Sequence, residues 1–136
     1  MTDIQAAISA AASGMRAQTV RMRLAAENVA NANSTGANPN EDPFRRRIPL
    51  METTTLASGA VGVRVRGAQY DMREFREEYN PSHPAADADG YVRLPNVDTL
   101  VEMMDLREAT RAYEANLNMI EAARTMTSRA LDLLRR

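Results

Sequence analysis

The sequence predicts a mainly α fold with a small β insertion. Two long terminal helices pair as a coiled-coil-like hairpin, and the subunit is elongated. Three observations predict this. Apolar residues recur every seven positions near both ends of the chain. All six prolines and most of the glycines fall between those ends. At 1.5 Å per residue, the terminal patterns would run about 45 Å and roughly 55–60 Å. A compact chain of this size has a diameter of roughly 35–40 Å, so neither helix fits inside it.

The first element runs from about Asp3 to Asn33, within an N-terminal zone of residues 1–35. Ile8, Met15, Met22 and Val29 form one seam, and Ile4, Ala11, Gln18 and Ala25 form its companion. Gly14 interrupts the helix at a cost of about 1 kcal/mol against Ala. Beside Ala11, Ala12 and Ser13 it makes a flat patch where another backbone can approach closely. Asn28 lies inside the helix, where a polar residue fixes register and partner. Asn31, Asn33, Ser34 and Gly36 stop it, since Asn and Gly tolerate left-handed backbone and Asn and Ser bond to it locally.

The insertion spans residues 36–95. Val61, Val63 and Val65 alternate with Gly62, Arg64 and Arg66, the period of a half-buried strand. Phe44 to Leu56 is a weaker strand that carries Pro49, which suits an edge. Ala57-Ser58-Gly59 turns between them, and Phe75 to Tyr79 adds a short third strand. A structured loop follows over 79–95. Asn80, Pro81, His83, Pro84, Gly90 and Tyr91 punctuate it.

The last zone, 96–136, is helical from Asn96 or Val97 to Leu134, with Asn96 or Asp98 as cap. Val97, Leu100, Val101 and Met104 supply the first apolar turns. Leu106, Tyr113, Ile120, Thr127 and Leu134 repeat by seven, flanked by Met103, Leu117 and Leu131. Asn116 is this helix's counterpart of Asn28. Glu108 with Arg111, Glu121 with Arg124 and Asp132 with Arg136 are spaced for surface pairs. Val20, Leu24, Leu100 and Val101 lie off the main seams, and such leftovers expect partners.

Composition narrows the function classes. The 17 basic residues are all Arg, against 18 acidic ones, so the cationic surplus that phosphate binding needs is absent and nucleic acid is excluded as the main partner. There is no Cys, which excludes thiol catalysis and thiolate metal sites. The single His, His83, sits between prolines and makes no metal site alone. Asp87 and Asp89 echo the start of an EF-hand loop, but the downstream Glu and flanking helices are missing, so a structural turn is expected. No catalytic, cofactor-binding or metal residues, and no small-molecule substrate, are expected. No run reaches the ~18 apolar residues of a membrane span. Asp3 stands where a secretory signal would carry a basic region, which predicts that any export uses a route without signal cleavage.

Several of these residues carry a resemblance. Ser13, Gly14, Met15 and Ala17, then Asn28, Ala30, Asn31 and Thr35, match the N-terminal pattern of the rod and hook family of bacterial flagellar axial proteins. Asn96, Val97, Glu102, Met103, Met104, Tyr113, Ala115 and Asn116 match its C-terminal pattern. The stretch YNPSHPAADADGYVRLPNV resembles the small proximal-rod component of the basal body. Many members carry a polar Asn or Ser at Glu27, so Glu27 takes no family role. The resemblance implies helices packed into a helical tube around a central export channel, with the β region outward. It implies termini poorly ordered before assembly, type III export without a cleaved signal, and torque transmission through the periplasm. Implied partners are copies of the chain, other rod proteins, and ring or export-apparatus components.

The expected subunit-interface residues are Ile8, Ala11, Gly14, Met15, Met22, Asn28, Val29, Ala30, Asn31, Val97, Val101, Met104, Tyr113, Ala115, Asn116, Leu117 and Ile120. A different axial flagellar component is the near alternative. A soluble helical adaptor or chaperone that holds a partner helix in a groove is the far one.

Overall fold

The computed structural model describes residues 2–136. Helix α1 spans Thr2–Ala30 and helix α2 spans Thr99–Leu134. Between them lie strands β1 (Arg47–Thr55), β2 (Val61–Tyr70), β3 (Arg76–Tyr79) and β4 (Tyr91–Leu94). The fold is mainly helical with a small β part.

Helix α1 ends at Ala30, and Asn31, two residues before Asn33, closes it. Its amide and its side-chain Nδ2 both donate to the Glu27 carbonyl, at 3.1 and 2.9 Å. Arg76 on β3 then donates to the Ala32 carbonyl at 3.1 Å, satisfying an acceptor the helix end leaves open. At the other end of the insertion, Asp98 rather than Asn96 caps α2. Its carboxylate accepts from the amides of Leu100 and Val101 at 3.0 and 3.4 Å.

The helices pack antiparallel. Asn28 meets Glu102, Met22 meets Thr110, and Gly14 meets Asn116. At 1.5 Å per residue α1 is about 43 Å long and α2 about 54 Å. The end of α2 therefore reaches past the start of α1, and residues 128–136 are exposed. The buried part of the helix pair is built from small side chains, with Ala11, Ala25, Ala109 and Ala123 buried, and Ala17 is buried beside the hairpin. A Cβ at Gly14 would lie 2.8 Å from Asn116 Nδ2, so the nearest neighbour at the flat patch is a side chain and not the backbone expected there.

Strands β1 and β2 form an antiparallel hairpin, and β3 and β4 form another. The first hairpin has a bulge in β2: Leu50 pairs with Gly67 and Met51 with Val65, which leaves Arg66 as the extra residue. Gly67 adopts φ +142°, a conformation L side chains rarely take. This hairpin lies on α1. The Val63 amide donates to Ser13 Oγ at 3.1 Å, and a Cβ on Gly62 would stand 2.6 Å from that oxygen. Helix α1 is thus covered by α2 and by the hairpin.

That double cover corrects three expectations. Leu24, expected to await another subunit, is 1% exposed inside this one. Val20 is half-buried and lines a shallow groove with Leu56, Val63 and Val65 of the hairpin. Glu108, expected to pair along its own helix, turns instead to Arg21 of α1 at 3.2 Å. A fourth correction concerns the loop: residues 91–94 are strand β4, with Tyr91 opposite Tyr79 in the ladder.

Candidate functional site

Where the two helices meet the insertion, one polar cluster joins α1, the start of β1, the segment after β2 and the first turn of α2. Asn28 is 1% exposed. Its Oδ1 accepts from the Arg47 amide at 3.0 Å, and its Nδ2 donates to the Arg47 carbonyl at 2.9 Å. The same Nδ2 reaches Glu102 Oε2 at 3.3 Å. Glu102, also 1% exposed, is hydrogen-bonded and ion-paired to Arg46. Arg46 reaches Asp71 at 3.4 Å as well. Asn96 closes the ring: its Oδ1 accepts from the Arg46 amide at 2.8 Å, and its Nδ2 donates to the carbonyls of Asp71 and Arg73 at 2.8 and 3.2 Å.

A charge this deeply buried is retained only when partnered, because desolvating it alone costs several kcal/mol. Asp71 shows the electrostatic result. Its carboxyl is lowered from 3.8 to about 2, chiefly by the side-chain hydrogen bond from Arg73, with desolvation opposing. Sequence reasoning placed Asn28 and Asn96 on the page but missed the role of Glu102, Arg46 and Asp71. On an amphipathic helix Glu102 reads as a solvated residue. No periodicity separates a buried charge from an exposed one.

The loop over 79–95 is held by its own backbone and short side chains. His83 Nδ1 accepts from the Ala85 amide at 3.0 Å. Asp87 Oδ1 accepts from the amides of Asp89 and Tyr91 at 3.0 and 2.9 Å, so this carboxylate organises a turn. The Asn80 amide donates to the Gly90 carbonyl at 2.9 Å. Gly90 has φ +88°, and a Cβ there would lie 2.8 Å from the Tyr79 ring and 3.1 Å from Pro81. Tyr79 and Tyr91 pack edge to face, 5.4 Å between centroids. Pro84 is exposed beside buried Ala85.

The expected interface residues divide into two sets. Ala11, Asn28, Val97 and Ile120 are buried within the subunit, and Gly14 and Asn116 face each other. Ile8, Met15, Met22, Val29, Asn31 and Tyr113 are half-buried. These hold the chain to itself. Ala30, Val101, Met104, Ala115 and Leu117 are exposed. Ala115 belongs to an exposed apolar stripe with Met119, Ala122, Met126 and Leu133, at the alternating spacing of a second helical seam. Met119 and Met126 are 54% and 55% exposed. Such a stripe is made of small and adaptable side chains.

Among the described residues, no helix is long and apolar enough to cross a membrane. A family model for the C-terminal part of flagellar basal body rod FlgEFG proteins matches residues 88–133, which include β4 and nearly all of α2. The flagellar basal-body rod protein FlgC of Agrobacterium fabrum is 42% identical, covering 99% of this chain and 98% of that protein. FlgC of Bacillus subtilis is 34% identical, covering 93% and 95%. FlgC of Salmonella typhimurium is 34% identical, covering 90% and 92%. With likeness running nearly end to end through both helices and the insertion, the chain belongs to the FlgC family of flagellar basal-body rod proteins, and is a structural subunit of that rod.

Proposed function

We propose that this subunit forms part of the wall of the proximal rod, a drive shaft that carries torque from the rotor through the periplasm. The paired helices stand side by side with those of neighbouring copies and of other rod proteins, around a central export channel. The β insertion faces outward, toward neighbouring subunits and the surrounding rings. The chain reaches this position through the export apparatus without loss of a signal segment. Heterologous contacts between copies extend a helical assembly instead of closing a ring. Seams that interlock along parallel helices give such a wall its resistance to twist.

The observation that carries this reading is the exposed stripe of Ala115, Met119, Ala122 and Met126 on α2. Its spacing suits another helix, and α1 already occupies a different face. The lack of Cys makes a direct test available. Ala122→Cys is the sole thiol in its variant. In isolated basal bodies, mild oxidation or a short bifunctional maleimide should link it to a cysteine introduced on a neighbouring rod subunit. A thiol at this position that stays open to alkylation in intact basal bodies, and never cross-links, would overturn the reading.

A further inference from the structure

The two ends of the molecule carry opposite charge. At one end, β3 and the segments on either side of it expose Glu74, Glu77, Glu78, Asp87 and Asp89. Arg76 is the one arginine between 74 and 91, and its guanidinium donates to the carbonyls of Pro95 and Ala32 at 3.0 and 3.1 Å. Tyr79 and Tyr91 are 65% and 43% exposed on the same hairpin. At the other end, the last residues of the chain expose Arg129, Arg135 and Arg136 against Asp132. Among the described residues, none of these charged side chains has an ion-pair partner.

The face of α2 that packs on α1 also runs on past it. The contacts of Asn28 with Glu102 and of Gly14 with Asn116 set the register of the pair, and carried on it puts Thr2 opposite Ser128. Ile120 and Ala123 are buried and Thr127 is half-buried. The same spacing continues through Leu131 and Leu134, which lie beyond the start of α1 and are 48% and 83% exposed. Where α1 lies close the face uses alanine, and where α1 is missing it uses leucine.

We propose that copies of this chain join head to tail: the end of α2 in one copy seats on the β3–β4 hairpin of the next. Arg129, Arg135 and Arg136 meet the carboxylates, and Leu131 and Leu134 meet the two tyrosines. This contact rests on the subunit being part of a rod wall, as proposed above, and names the faces that join along the shaft. Within one copy the charged ends cannot neutralise each other, because α2, about 54 Å long, stands between them. A shift of one subunit along the helix axis brings them together. Such a contact is heterologous, so it repeats without closing. Two heads or two tails repel, which gives the stack its polarity.

The lack of Cys allows thiols to be placed at both ends of the full chain. The double variant Glu78→Cys, Leu134→Cys carries two thiols that cannot meet within one copy. In isolated basal bodies a short bifunctional maleimide should link it into dimers and higher multimers of this chain, and neither single variant should link to itself. Monomer alone, linkage only to a different rod protein, or dimers from a single variant overturns the joint. Charge reversal is the second measurement. Glu77→Arg with Glu78→Arg, or Arg135→Glu with Arg136→Glu, should each reduce swimming on the order of tenfold, and all four together should restore it. No reduction, or a reduction that the four together do not restore, also overturns the joint. The Ala122→Cys cross-link keeps the two claims apart. Where it forms and these multimers do not, the rod wall stands and the head-to-tail joint falls; where Ala122→Cys never links, the rod wall itself has failed.

Discussion

Asn28 places three hydrogen bonds from a single amide, two to the backbone of Arg47 and one to Glu102. Replacing it with Ala leaves a backbone amide, a carbonyl and a carboxylate short of partners in a dry site. The expected cost is roughly 1–3 kcal/mol, read by urea unfolding of the free chain. Gly62 is a second sensitive position. A methyl there meets Ser13 Oγ at 2.6 Å and Leu56 Cδ1 at 2.7 Å. Gly62→Ala should destabilise by about 1–3 kcal/mol by overpacking. Gly14→Ala is a useful contrast, because its nearest neighbour is the movable tip of Asn116. The sequence marked Gly14 as a place of close packing because small residues surround it. Gly62 drew no such attention, since in a strand of alternating valines a glycine reads as spacing. Its reason is the oxygen of Ser13, 49 residues earlier in the chain.

At the scale of elements, both helices and the first hairpin were legible because each has its own period. Seven-residue repeats mark α1 and α2, and the Val61-Val63-Val65 alternation marks β2. Strand β4 was not legible. Tyr91–Leu94 is only four residues long and follows Gly90 in a stretch rich in proline and aspartate, so turn chemistry hides it. It becomes a strand by pairing with β3, an interaction no local pattern records. The capping of α2 was read to within two residues. Asp98→Ala should cost about 1 kcal/mol and lower the thermal midpoint seen by circular dichroism, because two amides of the first turn lose their acceptor. An unchanged midpoint would mean that packing of Val97, which is 1% exposed, fixes the helix start without help.

For the whole molecule, the seams read from sequence served two ends that the sequence could not separate. One set of small residues closes α1 onto α2, and another remains on the outside of α2. A heptad pattern identifies a face that packs; it does not say whether the partner is the same chain. The exposed alanines make the distinction testable. Ala30 and Ala115 are both exposed in the subunit, so Ala30→Leu and Ala115→Leu should leave its unfolding midpoint nearly unchanged. Either should reduce rod formation sharply, seen as lost motility with normal synthesis. Normal swimming in both variants would place those alanines away from any neighbour.

The hairpin is fastened to α1 at two stations, Val63 to Ser13 and Arg47 to Asn28. The two α1 residues are 15 positions apart, about 22 Å along the helix axis. A part fixed at one point swivels; a part fixed at two cannot turn without breaking one of them. A sideways push on the hairpin is therefore resolved into opposed forces at the two stations, each reduced by the distance between them. The spacing of one serine and one asparagine on α1 is, in mechanical terms, the length of a wrench.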